Sequence, residues 1–146
     1  MFVLFFGMTY SFPQNVYINP GIKLGYMFGE KGGFVLGVEL SVTKEFPNNY
    51  KLWGLVIDFD ESKSLDKIHL GLESSMYVVG IDAGPTFAWD NEGNYLGFSL
   101  IPFSGAILIP YYEFTFLNKD KLFSEIGSYI KVTIPNKNNS FSFGPE

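Results

Sequence analysis

Nine glycines share one face of this chain's alternating segments, and none falls on the other. Read as strands, Gly21, Gly25, Gly37, Gly54, Gly71, Gly80, Gly84, Gly97 and Gly127 lie on the side that also carries the strand charges. The opposite side carries Leu, Ile, Val, Phe and Trp. A half-buried soluble strand turns its apolar face to a core and shows long polar side chains to water. A face of glycines and scattered acids makes a poor exterior of that kind. It suits a cramped polar lumen, with the bulky apolar face turned to lipid.

The alternation predicts eight strands, at 17–28, 34–45, 51–60, 67–75, 78–89, 95–101, 106–117 and 122–134. Gly, Asn, Asp and Pro punctuate the joins. Each segment is close to the ~9–11 residues a tilted strand needs to cross a bilayer. Short sequential connections give an all-β, up-and-down antiparallel barrel, and an even strand number lets it close without an edge. The apolar face includes Leu24, Phe34, Leu36, Trp53, Leu55, Leu70, Leu72, Phe87, Phe98, Phe114 and Ile126, with no charge among them. Pro85 and Pro110 fall inside strands, where a closed sheet offers no edge for a missing N–H, so bulges are expected beside them. Aromatics at strand ends, among them Tyr17, Phe28, Phe34, Phe46, Tyr50, Tyr77, Trp89, Tyr95, Phe103, Phe116 and Phe123, read as two interfacial girdles.

Residues 1–15 open on an apolar run and read as a signal-peptide remnant. Residues 16–135 form the barrel domain, and 136–146 a polar tail. The absence of Cys removes thiolate chemistry and Cys-based metal sites. A formal net charge of −5 leaves no basic stripe to neutralise phosphates, which argues against nucleic acid as a partner.

With these features the chain resembles the small eight-stranded bacterial outer-membrane barrels, the OmpA-transmembrane type of architecture. The resemblance rests on pattern over residues 17–134 and implies an outer-membrane location, membrane lipid as the surrounding partner, and a structural or interaction role. In such barrels the interior is filled by side chains, and its charges pair. Candidates for a lumen charge network are Lys23, Glu39, His69, Glu73, Asp82, Glu113, Glu125 and Lys131. Ile107, Ile109 and Tyr111 put apolar groups on the lumen side and read as a plug at one mouth.

Three other readings concern function. An apolar-ligand barrel of the lipocalin kind requires the apolar face inside. A lipid hydrolase could be sketched from His69, Glu73 and either Ser75 or Ser99, but no nucleophile motif accompanies them. Asp58, Asp60, Glu61 and Asp66 could hold a hard cation. Lys63 and Lys67 among them favour a solvated acidic loop, so no metal site, cofactor or catalytic residue is expected.

The two faces make opposite demands. Leu70→Arg should be harmful, Gly71→Leu should overpack the lumen, and Gly71→Ser should be mild.

Overall fold

The computed structural model describes residues 16–46 and 51–136. Eight long strands follow one another: β1 (Val16–Phe28), β2 (Gly33–Glu45), β3 (Lys51–Ser62), β4 (Asp66–Met76), β5 (Val79–Asp90), β6 (Gly93–Ser104), β7 (Leu108–Leu117) and β8 (Lys121–Lys131). Each pairs antiparallel with its sequence neighbour, and β8 pairs back onto β1, so the sheet is a closed barrel. A short β9 (Ile134–Asn136) lies against Val16–Ile18 of β1 in the register that β8 set, and so continues β8 past Pro20. The expected signal remnant, and nearly all of the expected tail, lie outside the described residues.

The stagger can be read from one walk around the wall. Ile18 pairs with Val42, Val42 with Leu55, Leu55 with Leu72, Leu72 with Ala83, Ala83 with Leu100, Leu100 with Phe114, Phe114 with Ser124, and Ser124 with Phe28, ten residues beyond the start. That stagger inclines eight strands by roughly 40° and sets a wall radius of about 8 Å. Side chains from facing walls meet at this radius.

The glycine face points inward and the apolar face outward. Leu24, Phe34, Leu36, Leu55, Leu70, Leu72, Leu96 and Phe98 are exposed, while Lys23, Asp58, Asp60, His69, Glu113 and Glu125 are buried. The aromatics divide. Phe28, Phe34, Phe46, Tyr77 and Phe116 face out, but Tyr95 and Phe123 are buried and Phe103 packs on a buried cluster, so they belong to the lumen and not to a girdle. Tyr50 lies outside the described residues.

No bulge accompanies the strand prolines. The β4–β5 ladder omits the pairs at Leu70 and Gly71, opposite Pro85 and Gly84, and resumes in the same register. The β7–β8 ladder runs unbroken through Pro110, and the β6–β7 ladder stops at Phe103–Tyr111. Omitting a few ladder bonds is enough to accommodate each ring. Strand β6 itself continues through Pro102 to Ser104, beyond the expected end at Ile101.

Candidate functional site: the lumen and its mouth

The lumen is built in tiers. At the end formed by the β1–β2, β3–β4, β5–β6 and β7–β8 turns, Met27, Val35, Leu65, Ala88, Tyr95, Leu117 and Phe123 form an apolar plug. Charged turns cover it. Lys31 reaches Glu92 at 2.9 Å and Asp90 at 3.2 Å, and Lys121 donates to the Tyr95 hydroxyl at 3.0 Å. The hydrogen bond from Lys31 holds the Glu92 carboxyl below the usual glutamate range.

Below the plug lies the densest charge cluster. Lys23 Nζ donates to Asp60 at 2.7 Å and Glu113 at 2.9 Å. Lys67 Nζ donates to Glu113 at 2.6 Å and Glu125 at 2.9 Å. Tyr111 donates its hydroxyl to Glu125, and Tyr129 donates to Asp58 at 3.2 Å. All of these side chains are buried. Each ammonium bridges carboxylates from different strands, which ties the wall together across the lumen. Breaking such a buried pair costs far more than a surface pair contributes.

Glycines supply the room. A side chain at Gly25 or Gly127 would occupy the place of the Tyr111 hydroxyl, and one at Gly37 the place of the Asp60 carboxylate. The inward glycines and the inward long side chains are therefore complementary, small opposite large.

A polar chain runs sideways from this cluster. His69 Nε2 is 3.0 Å from Asp82, and its Nδ1 is 3.0 Å from Thr86 Oγ1. Thr86 Oγ1 is 2.6 Å from Ser99 Oγ, which donates to Glu113 at 3.2 Å. The sketched partners of His69 differ from these: Asp82 takes the place expected of Glu73, and Thr86 the place expected of a serine. Asp82, His69 and Thr86 have the order of an acid–imidazole–hydroxyl relay, but Thr86 has 0% of its surface accessible. A nucleophile must touch its substrate, and nothing can reach this hydroxyl.

The next tier is apolar: Ile101, Ile109, Tyr111 and Tyr129, with Phe103 against them. Lys23 lies over the Tyr111 and Tyr129 rings, and Lys131 over Tyr129 and Phe103. This cluster lies between the Lys23 and Lys131 ammoniums, with Ile109 and Phe103 reaching the mouth and Tyr111 lying deeper, bonded to Glu125. Ile107, expected to belong to it, sits outside β7 and is exposed.

Beyond it, Lys131 pairs with Glu39 and lies 3.8 Å from Glu73. Then comes a cavity of about 360 Å³ at the end where β1 begins and β8 finishes. Asn19 donates there to Ser41 at 3.3 Å and Thr43 at 3.1 Å, and Tyr17 donates to Glu45 at 3.0 Å.

The eight candidate charges all point inward. Lys23, Glu113 and Glu125 belong to the central cluster, His69 and Asp82 join it through Thr86 and Ser99, and Glu39, Glu73 and Lys131 form a second group nearer the mouth. Lys67 and Asp60 were absent from the candidates because both sit beside a polar turn. Their parity, shared with His69 and Asp58, was the available signal. The acidic-loop reading is corrected for Asp58 and Asp60, which are buried in β3. Asp60, Glu113 and Glu125 do converge, but Lys23 and Lys67 already occupy the space among them.

Fold and site together define a class: a closed eight-stranded barrel, apolar outside, its polar lumen filled by its own side chains. No family model matches the chain, and no curated protein matches it. A solved structure described as "De novo design of transmembrane beta-barrels" is similar to it, at 13% identity and a TM-score of 0.42, over 84% of this chain and 98% of that one.

Proposed function

We propose that this protein spans a lipid bilayer, that of a bacterial outer membrane, as a closed and non-conducting barrel with a structural or interaction role. The observation that carries the reading is the pairing of the two faces. Large apolar side chains cover the outside on every strand, among them Phe34, Leu36, Leu55, Leu72, Leu96 and Phe98. Such a surface far exceeds the few-hundred-Å² patch a soluble monomer tolerates. Ion pairs and hydroxyls fill the inside, the reverse of a cup for an apolar ligand. Strands of 10–13 residues at roughly 40° match the ~25 Å apolar band of outer-membrane barrels.

The apolar plug and the central charge cluster lie in series along the axis and fill it with side chains, so no conductance is expected. No catalytic role is proposed, because the one imidazole is sealed between Asp82 and Thr86. Lipid is the partner the outer surface fits. Nucleic acid is not, since the net charge is −5.

Detergent removal tests the reading. The protein should enter vesicles if they are present and aggregate if they are not. A monodisperse, detergent-free monomer in buffer would overturn it.

A further inference from the structure

We infer that a groove on the outer wall, rising to the β3–β4 turn, seats one phospholipid whose headgroup carries both a phosphate and a primary ammonium. The site presupposes the lipid-facing wall proposed above and names the lipid that this part of it selects. The groove, about 990 Å³, crosses β8, β1, β2 and β3. One row of its lining follows the ladders: Ser128 pairs with Leu24, Leu24 with Leu36, and Leu36 with Glu61. Beside it Ile126 pairs with Tyr26, and Tyr26 with Phe34. The groove thus has the polarity of a lipid. Leu24 and Ile126 lie near the middles of their strands, at the depth of acyl chains. Glu61, at the end of β3, and Lys63, in the turn, lie where the apolar band stops. Tyr26 stands edge-on to Phe28 at 5.2 Å and to Phe34 at 5.4 Å, a rigid aromatic wall of the kind found at headgroup level.

Two uncommitted charges define the headgroup. Glu61 and Lys63 both line the groove and are exposed, and neither is paired with a described residue. The Tyr26 hydroxyl likewise has no hydrogen-bond partner among the described residues. The turn beside them is fixed, since Ser62 Oγ donates to the Leu65 carbonyl at 2.6 Å and accepts from the Leu65 N–H at 3.0 Å. A phosphate against Lys63 and an ammonium N–H against Glu61 satisfy both charges at once. A headgroup of net negative charge would leave Glu61 opposed. A quaternary ammonium would have no N–H to give it.

The test uses the full chain in micelles, with single lipids of matched acyl chains added back and bound copies counted by native mass spectrometry. Phosphatidylethanolamine should bind about fivefold more tightly than phosphatidylcholine or phosphatidylglycerol, the order of one exposed ion pair. Glu61→Gln should abolish the preference over phosphatidylglycerol, and Lys63→Gln should weaken binding of all three. Lys51→Gln, at the opposite end of β3, should leave binding unchanged. In the parent protein, phosphatidylethanolamine should shift the methyl signals of Leu24, Leu36 and Ile126 and leave those of Leu72 and Ile81 in place. Equal binding of the three lipids, tightest binding of phosphatidylglycerol, or indifference to both Glu61→Gln and Lys63→Gln would overturn the inference and leave the lipid-facing wall standing. A detergent-free monomer in buffer would overturn both.

Discussion

Gly71 and Asp82 share one volume: a side chain on Gly71 would stand where the Asp82 carboxylate meets His69. Strand β4 must therefore carry no side chain at this point if β5 is to place an acid in the lumen. Gly71→Leu should be destabilising by well over the ~1–3 kcal/mol usual for overpacking, since it also breaks a buried hydrogen bond. The structure corrects the expectation that Gly71→Ser is mild, because the clash begins at Cβ. Denaturant unfolding of Gly71→Ala and Gly71→Ser should show both clearly less stable than the parent.

The adjacent residue tests the other face. Leu70 is half exposed and sits at the middle of β4. In lipid, Leu70→Arg places a charge near the bilayer midplane and should cost roughly 2–4 kcal/mol. Folding into vesicles, followed by urea titration, measures it.

Lys67 links Glu113, Glu125 and Asp60 at 2.6, 2.9 and 3.3 Å. Lys67→Met leaves those carboxylates with Lys23 alone and should cost about 3–5 kcal/mol. Adding Glu113→Gln should recover part of the loss, because one stranded charge is removed with its partner. A double variant no more stable than Lys67→Met would show that the two groups are not coupled.

At the turn end the pH dependence has a definite sign. Lys31 holds the Glu92 carboxyl below its usual range. A depressed acid stabilises its contact above the ordinary glutamate pKa, and the contribution is lost as pH falls through the lower, folded value. An NMR titration of Glu92 should show that depressed midpoint, and Lys31→Ala should return it upward.

Much of this was legible in the sequence, and for a physical reason. Alternation at period two is a local property, so the inward set, from Lys23 to Lys131, could be assigned residue by residue. Partner choice is not local. Which acid Lys131 meets depends on the ten-residue stagger around the wall, and no single strand records it. Asp60 and Lys67 were obscured by their nearness to a turn, although they continue the parity of Asp58 and His69. The inward plug of Met27, Val35, Tyr95 and Phe123 was obscured because apolar residues at strand ends resemble a girdle. Proline tolerance was misjudged because a skipped ladder bond, unlike a bulge, leaves register intact.

The two tryptophans offer the most direct test of the central claim, that the apolar face meets lipid. Trp53, near the start of β3, and Trp89, near the end of β5, lie at opposite ends of the barrel, and Trp53 is 51% exposed. Their fluorescence in vesicles of lipids brominated at defined acyl positions reports contact and depth together. The account predicts quenching of both single-tryptophan variants, stronger with bromines near the headgroups than near the chain ends. Emission indifferent to brominated lipid at every depth would contradict it.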